Sequence, residues 1–480
     1  MTKQRSNSSK KTYDFDLLVV GCGPAGQRAA VQAAKIGKRV GIIDRLEVEG
    51  GVCVNLGTIP SKSFKEAVVF LSGYRQRNIY GAGYRVKADI EMPDLTFRCH
   101  RIMQTEIEVI RHQLRRNKIN VMTGHASLQD PHTVEIDSVI HGKSQKTAEI
   151  ILLAVGATPR RPKNINFDSK NIFDSDDILN MESVPRNMLV VGGGVIGTEY
   201  ASMFAALGTH VTIVDARKRL MSFVDEEIIE CLQYQMRGMG VTLRLGEEVK
   251  ACTVKDDGQV VTELKSGKII VSERVLYSAG RISATDNLGL KNAEVDTDDS
   301  GKIKVNEKYQ TSQKNIYAAG DVIGFPGLAS TSAQQGRLVA CNAFKIDDQV
   351  EDAPLPYGIY SIPEISYVGL NEAELTEQGI PYETGVARYR EIARGLILGD
   401  ENGMLKILFH RETTKILGVH IIGEYATELV HIGQAVMALG GGLNYLRDAV
   451  FNYPTLAECY KVAALDGYNK LKLSKSLAGK

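Results

Sequence analysis

The chain has 480 residues, of which 43% are hydrophobic and 24% are charged, and its formal net charge is +1. At a soft average of about 150 residues per domain, this length is too great for one ordinary core and predicts about three domains. A charge so close to neutral offers no broad basic surface for nucleic acid or for an anionic membrane, so small molecules are the expected partners.

The start of the chain is basic and polar. Residues 1–13 contain no apolar segment, so they are expected to form a disordered leader rather than a secretory signal. No apolar run approaches the roughly 18–20 residues that span a bilayer, and no membrane crossing is expected. The seven cysteines are scattered and odd in number, which is unlike a secreted disulfide framework and favours a reducing, cytoplasmic setting.

Two segments of the chain match each other at an offset of 171 residues. Each has an apolar run, a Gly-x-Gly-x-x-Gly turn, a helical stretch, a second β-branched run and an acid 23 residues after the first glycine. The matching residues of the first copy are Gly21, Gly23, Gly26 and Asp44, and those of the second copy are Gly192, Gly194, Gly197 and Asp215.

This layout is typical of a Rossmann-like unit that binds a dinucleotide. The first glycine allows a tight turn, the second lets backbone approach a pyrophosphate, and the third lets the helix pack close to its strand. The helix N-terminus then faces the phosphates, and the final acid accepts a hydrogen bond from a ribose 2′-hydroxyl. A single such motif is weak evidence, but two complete copies predict two dinucleotide sites.

The remaining sequence predicts smaller elements. Residues 96–116 have a helical apolar pattern, and residues 121–140 look strand-like. Residues 150–157 predict a buried strand that ends in a turn, and residues 160–162 a hinge into the second copy. From about Pro354, short strands mixed with helical patterns indicate a separate C-terminal domain.

Along nearly its whole length the chain resembles the pyridine nucleotide-disulfide oxidoreductase family, which includes glutathione reductase and dihydrolipoamide dehydrogenase. Residues 311–321 resemble that family's second FAD motif, in which Asp321 would hold the ribityl chain of the flavin. Residues 151–156 resemble its "ATG" turn, with Val155 at the usual threonine, and residues 360–364 resemble the opening of its dimerisation domain.

The resemblance implies an α/β fold with two Rossmann-like dinucleotide-binding domains, as in glutathione reductase, and an α+β C-terminal dimerisation domain. The implied organisation is an FAD domain over residues 14–158 that continues over 286–354, an NAD(P) domain over 159–285 and a dimerisation domain over 355–480. It also implies a homodimer or a higher homo-oligomer.

Two departures from the family concern thiol chemistry. The redox loop of the disulfide reductases has cysteines at the positions of Cys53 and Thr58, and a threonine cannot form a disulfide. Near the C-terminus, Tyr453 takes the position of the family's catalytic histidine, five residues before Glu458, and its unperturbed pKa of about 10 makes it a poor general base near neutral pH. Cys53 remains either a flavin neighbour or a small packed residue.

The hydride-transfer residues of the family are retained. By resemblance, Lys62 would lie beside flavin N5 and pair with Glu199. Asp215 suits the ribose of NAD. The basic residues that follow it, Arg217, Lys218 and Arg219, either bind the 2′-phosphate of NADP or form a solvated face. The other cofactor-binding positions implied by the resemblance are Arg45, Gly156, Gly280, Arg281 and Gly320.

These features together resemble the branch of the family that uses FAD to exchange hydride between NADP(H) and NAD(H), with ping-pong kinetics and no redox-active disulfide. The shared segments are residues 57–62 and 451–455, and Val52 departs from a glycine common in that branch. Two alternatives stay open: an NAD(P)H:quinone reductase or diaphorase, and a non-catalytic dinucleotide-binding subunit or redox sensor. No metal ligand set is predicted.

Overall fold

The computed structural model describes residues 12–347 and 354–478, and the chain divides into two compact units. The described residues of Met1–Ser61, Cys99–Arg160 and Arg281–Gln349 form unit 1, and those of Lys62–Arg98, Arg161–Gly280 and Val350–Lys480 form unit 2. The leader predicted over residues 1–13 lies outside the described residues except for its last two. One of these, Tyr13, stacks on His132 at 4.9 Å between ring centroids.

The strands are numbered in chain order. They are β1 Phe15–Val20, β2 Val40–Asp44, β3 Asn120–Thr123, β4 His125–Asp130, β5 Thr133–Ser138, β6 Gly142–Leu153, β7 Ala157–Pro159, β8 Ile172–Phe173, β9 Asn187–Val191, β10 His210–Asp215, β11 Thr242–Leu245, β12 Val249–Val254, β13 Val260–Leu264, β14 Ile269–Ser272, β15 Arg274–Tyr277, β16 Arg281–Ser283, β17 Ile316–Ala318, β18 Tyr357–Ile359, β19 Ile365–Gly369, β20 Tyr382–Arg388, β21 Met404–His410 and β22 Ile416–Ile422.

The α-helices are numbered in the same way. They are α1 Pro24–Lys35, α2 Gly51–Asn55, α3 Thr58–Leu71, α4 Arg77–Tyr80, α5 Met92–Arg116, α6 Val195–Leu207, α7 Glu226–Gly238, α8 Ala329–Phe344, α9 Glu372–Glu377, α10 Ala393–Leu398, α11 Ala426–Ala438, α12 Leu443–Asp448 and α13 Glu458–Ala478. Within the described residues, no helix combines the length and the apolar character needed to cross a bilayer.

Unit 1 is built on a sheet in the order β3-β2-β1-β6-β5-β4, with β17 also paired to β6. Strand β1 runs parallel to β2 and to β6. Its residues alternate between two buried faces: Leu17 and Val19 pack in one core with α1, and Leu18 and Val20 pack in the other. Burial on both faces explains why this strand is an unbroken apolar run in the sequence.

Unit 2 contains a second parallel sheet, in the order β11-β10-β9-β15-β8, and a small antiparallel sheet β12-β13-β14. Strands β9 and β10 are parallel and are connected through α6, so the second copy of the repeat folds as a β-α-β unit like the first. The C-terminal part of unit 2 forms an antiparallel sheet in the order β18-β19-β22-β21-β20. Its core contains buried residues of β21 and β22 together with residues of α11 and α13.

Two predicted elements have different bounds in the structure. Helix α5 begins at Met92 rather than at residue 96, because Pro93 and Asp94 suit a first helical turn, where no intrahelical N–H bond is lost. The strand-like stretch 121–140 is divided into β3, β4 and β5. One break falls at Gly124, whose φ of 158° and close contacts with Ile136 and Asp137 leave no room for a side chain.

Candidate dinucleotide and hydride-transfer site

The turn after β1 has the geometry of a phosphate cradle. A Cβ on Gly21 would lie 2.2 Å from the carbonyl oxygen of Ala154, and a Cβ on Gly26 would lie 1.9 Å from that of Gly21, so neither position accepts another residue. At Gly23, by contrast, a Cβ would meet no atom within 4 Å. Helix α1 begins at Pro24 with no side-chain cap, which leaves its first N–H groups available to a phosphate.

Asp44 ends β2 and supports the same turn. Its Oδ2 accepts the N–H of Cys22 at 2.6 Å, and its Oδ1 accepts that of Leu46 at 2.9 Å. Burial raises the pKa of the Asp44 carboxyl, and these two N–H groups oppose the rise. Arg45, the next residue, is exposed. A carboxylate held at the edge of a glycine turn suits a ribose hydroxyl, so the residues fit the adenosine part of FAD.

The turn after β9 repeats this geometry in unit 2. A Cβ on Gly192 would lie 2.7 Å from the carbonyl oxygen of Ser278, and one on Gly197 would lie 1.9 Å from that of Gly192. At Gly194 the nearest atom within 4 Å is Nη2 of Arg217, at 3.9 Å. Helix α6 also begins without a side-chain cap, so the residues fit a second pyrophosphate.

Asp215 ends β10 as Asp44 ends β2, but its surroundings differ. Its Oδ2 accepts the N–H of Gly193 at 2.6 Å, and its carboxylate forms a bidentate ion pair with Arg217. Lys218 is exposed and, among the described residues, joins no ion pair. Arg219 instead pairs with Glu226 on the first turn of α7.

The loop that carries the redox disulfide in the disulfide reductases packs against the first glycine turn in this chain. Gly50 and Gly51 both have positive φ, of 113° and 59°, and a Cβ on Gly51 would lie 2.8 Å from Cα of Gly23. Cys53 lies within α2 and is half-buried, and Thr58 is the exposed first residue of α3. All seven cysteines belong to the described residues, and none of them forms a disulfide there.

The remaining predicted cofactor-binding residues lie in unit 1, except Gly280, which is the last residue of its unit 2 segment. Gly156, with a φ of 71°, links β6 to β7, and the N–H of Gly320 donates to Oε1 of Gln335 at 2.8 Å. Burial raises the pKa of the Asp321 carboxyl, and the guanidinium of Arg281 opposes the rise. Arg281 also donates to the carbonyl oxygen of Ala157 at 2.7 Å.

Lys62 and Glu199 meet in unit 2, although they are 137 residues apart in the chain. Nζ of Lys62 donates to Oε2 of Glu199 at 2.7 Å. The side chain of Glu199 is only 4% exposed, whereas that of Lys62 is 26% exposed. The pair therefore consists of a fixed, buried carboxylate on α6 and an ammonium on α3 that keeps access to solvent or to a ligand.

Tyr360, just after β18, contacts both members of this pair. It was not predicted as a site residue. Its N–H donates to Oε1 of Glu199 at 2.8 Å, so both oxygens of that carboxylate are bonded. Its ring centroid lies 4.8 Å from Nζ of Lys62, within cation–π range. Two residues later, the N–H of Ile362 donates to the hydroxyl of Ser202 on α6 at 2.9 Å. A backbone N–H cannot be identified from residue type, but the family motif at residues 360–364 marked the segment.

A second buried ion pair lies one helical turn further along α3. Lys65 contacts Glu364, and both side chains are buried. The other oxygen of Glu364 accepts the hydroxyl proton of Thr427 on α11 at 2.9 Å. The ring of Tyr360 lies 5.7 Å from Nζ of Lys65, so it faces both lysines. The segment after β18 therefore ties α3 and α6 to α11 within unit 2.

Tyr453, at the position of the family's catalytic histidine, and Glu458, five residues after it, lie near the start of α13. Tyr453 is 75% exposed. Glu458 is the first residue of α13, and its Oε2 accepts the N–H of Thr455 at 3.4 Å, a long hydrogen bond. Tyr453 thus presents its ring outward from unit 2.

One acidic cluster could be mistaken for a metal site. Carboxylate oxygens of Asp225, Glu227 and Glu372 all lie within 4.8 Å of one another. Nζ of Lys406, on β21, contacts all three, at 3.0 Å from Asp225 and 3.2 Å from Glu227. The ammonium already supplies the positive charge that these acids require, so we assign no metal to this group, which we call the Lys406 cluster.

Two family models match the chain. The model described as "Pyridine nucleotide-disulphide oxidoreductase" matches residues 15–336, and the one described as its dimerisation domain matches residues 355–464. A protein of Mycobacterium bovis named "Soluble pyridine nucleotide transhydrogenase" is 52% identical over 96% of this chain and 98% of its own length. A protein of the same name from Pseudomonas aeruginosa is 42% identical over 96% of this chain and 99% of its own length.

Solved structures agree on the architecture. The HOCl-induced flavoprotein disulfide reductase RclA from Escherichia coli, as its Cu(II) complex, has a TM-score of 0.86 at 25% identity, over 95% of this chain and 99% of that one. LpdA from Mycobacterium tuberculosis has a TM-score of 0.85 at 24% identity, over 94% of this chain and 99% of that one, which is evidence of fold alone.

Proposed function

The chain belongs to the pyridine nucleotide-disulphide oxidoreductase family, and from that premise we propose that it transfers hydride from NADPH to NAD+ through a bound FAD. The products are NADP+ and NADH. The relatives named as soluble pyridine nucleotide transhydrogenases support this choice. The observation that carries it is the intact Lys62–Glu199 pair, at 2.7 Å, in a chain whose second loop cysteine is replaced by Thr58.

The domain roles follow from the two glycine turns. In this proposal the turn at residues 21–26 and the Asp321 region, within 14–158 and 286–354, hold FAD, and the turn at 192–197, within 159–285, holds either nicotinamide nucleotide. When bound, FAD supplies the atom that takes up the hydride and returns it. Residues 355–480 would form the dimerisation domain of a homodimer, and the protein would act in the cytoplasm.

The chain's own residues then have distinct tasks. The Lys62 ammonium would favour negative charge on the reduced cofactor, because a positive charge fixed in a partly desolvated site stabilises developing negative charge without reorganising. Glu199 holds that ammonium, and the N–H of Tyr360 keeps the Glu199 carboxylate in place. The two nucleotides would use one site in turn, which gives ping-pong kinetics and needs no acid–base group for a thiol.

Our first prediction concerns the acceptor. We expect the purified holoenzyme to transfer hydride from NADPH to a thionicotinamide analogue of NAD+. We expect reduction of glutathione disulfide or lipoamide to be at least about 100-fold slower, because a general acid alone contributes about 10²–10⁴-fold and the chain has neither that histidine nor the cysteine pair. Initial rates with each acceptor at one NADPH concentration test this.

The same acceptor series separates the alternatives. Fast disulfide reduction would exclude the proposal. Fast quinone reduction with slow transfer to the nucleotide analogue would identify a quinone reductase instead. Flavin that binds but is not reduced by either nucleotide would indicate a non-catalytic subunit, in which the Lys62–Glu199 pair would have no redox task.

A further inference from the structure

The carboxylate of Asp215 is saturated with hydrogen bonds from its own chain. Its Oδ1 accepts the N–H of Arg217 at 2.7 Å and Nε of the same residue at 2.9 Å. Its Oδ2 accepts Nη2 of Arg217 at 2.7 Å and the N–H of Gly193 at 2.6 Å. An ionised carboxylate offers about four acceptor sites, so none is left for a ribose hydroxyl.

Asp44, the equivalent acid of the first repeat, has no such ion pair among the described residues. Asp44 accepts backbone N–H groups from Cys22 and Leu46, and among the described residues no lysine or arginine side chain pairs with it. The two acids end equivalent strands at an offset of 171 residues, so the difference is local. It lies in Arg217, two residues after Asp215, where the first repeat has Leu46.

Arg217 also occupies the space that a nucleotide would need. Its Nη2 is the nearest atom to the open side of Gly194, at 3.9 Å from a Cβ built there. Its side chain is 47% exposed, whereas that of Asp215 is 6% exposed. The arginine can therefore move away into solvent, and the carboxylate cannot.

We propose that the Asp215–Arg217 ion pair is a single exchange element that admits both nucleotides to one site. A ribose 2′-hydroxyl replaces the Arg217 side chain on Asp215, and a ribose 2′-phosphate replaces Asp215 on the Arg217 guanidinium. Each nucleotide thus breaks the Asp215–Arg217 ion pair and takes the place of one of its two side chains. This inference rests on the proposed function only in naming NAD(H) and NADP(H) as the ligands.

The charges of the pair explain why neither ligand is excluded. With Arg217 absent, a 2′-phosphate would face the uncompensated Asp215 carboxylate and be repelled. With Arg217 fixed on Asp215, a 2′-hydroxyl would find no acceptor. Burial alone would raise the pKa of Asp215, but the hydrogen bonds from Arg217 hold it below its ordinary value, so the carboxylate stays ionised near neutral pH.

The test uses ligands that cannot be reduced. ADP-ribose carries the 2′-hydroxyl and 2′-phospho-ADP-ribose carries the phosphate, and calorimetric titration of the holoenzyme gives each Kd. We expect Arg217→Met to raise the Kd of 2′-phospho-ADP-ribose by about tenfold or more, which is the scale of one charge-assisted contact. The same variant should lower the Kd of ADP-ribose several-fold, because the Asp215 carboxylate is released. The opposite signs distinguish an exchange element from a simple phosphate contact.

Matched variants complete the design. Arg219→Met removes the same charge two residues away, where the guanidinium pairs with Glu226, and should leave both Kd values within about twofold because an exposed pair contributes little. Asp215→Asn should have the reverse effects of Arg217→Met: a higher Kd for ADP-ribose and a lower Kd for 2′-phospho-ADP-ribose. If Arg217→Met leaves ADP-ribose binding unchanged, or weakens both ligands, the proposal is wrong. Because neither probe carries a nicotinamide, this outcome is independent of whether the acceptor series supports hydride transfer.

Discussion

Replacing Lys62 with methionine is expected to slow hydride transfer by about 10²–10³-fold, the loss measured when one preorganised electrostatic donor is removed from an active site. Methionine keeps the length of the side chain but removes the ammonium that lies 2.7 Å from Glu199 and over the Tyr360 ring. Without it, the buried Glu199 carboxylate would carry a negative charge with no cation beside it, and in the proposed function that charge opposes reduction of the flavin.

The measurement is anaerobic stopped-flow reduction of the holoenzyme by NADPH. We expect the limiting rate to fall while the Kd of the nucleotide stays close to the wild-type value, and the flavin midpoint potential to become more negative. Glu199→Gln is the matched partner: its single amide oxygen can still accept from Lys62, at the loss of the bond from the Tyr360 N–H, and the ammonium stays in place, so the fall in rate should be smaller. A Lys62→Met enzyme within threefold of wild type would show that this ammonium does not act on the flavin.

Replacing Lys406 with methionine is expected to destabilise the protein by about 3–5 kcal/mol, the usual cost of leaving a buried charge without its partner. Lys406 and Asp225 are each 1% exposed, and the ammonium contacts both oxygens of that carboxylate, at 3.0 and 3.2 Å. Methionine fills a similar volume but leaves Asp225 buried without a cation.

The pH dependence of this loss has a definite sign. Burial alone would lower the pKa of Lys406, but Glu372 and Asp225 hold it above the ordinary value of 10.5. A raised folded-state pKa means that the contribution of Lys406 is fully present below pH 10.5 and is lost as the pH rises above that value. The difference between wild type and variant should therefore be largest near neutrality and shrink in strong alkali.

Urea unfolding at pH 7 and above pH 10.5 tests both statements. Lys250→Met is the control, since Lys250 and Glu263 form a pair of the same kind at 2.7 Å with side chains 59% and 43% exposed. Such a surface pair is worth about 0–1 kcal/mol. If Lys406→Met cost no more than Lys250→Met, the Lys406 cluster would not contribute to stability through burial of its charges.

The fold class was predictable because it rests on repeated local patterns. Apolar runs followed by Gly-x-Gly-x-x-Gly at Gly21 and Gly192 identified two parallel β-α-β units, and the predicted two Rossmann-like domains with a dimerisation domain are confirmed. The family membership inferred from the motifs is confirmed as well. Such turns are encoded within about 30 residues, where spacing alone specifies the geometry.

The pairings between distant residues were harder to predict. Resemblance alone suggested that Lys62 meets Glu199, since no spacing rule connects residues 137 positions apart, and the structure brings them together. The Asp215–Arg217 bond was missed because an exposed arginine beside an acid is an ordinary surface pattern. The Lys406 cluster did leave one signal, a lysine inside the otherwise apolar strand β21, which a search for charged residues in buried strands would detect.

The bond from Tyr360 to Glu199 also bears on the order in which the protein matures. The donor is made 161 residues after the acceptor, so a ribosome completes β9, α6 and β10 well before it synthesises the segment after β18 that binds the second oxygen of Glu199. A nascent chain released before residue 355 would have both glycine turns but an incompletely held carboxylate. On the proposed function, the ability to bind a dinucleotide would then arise earlier in synthesis than the ability to transfer hydride.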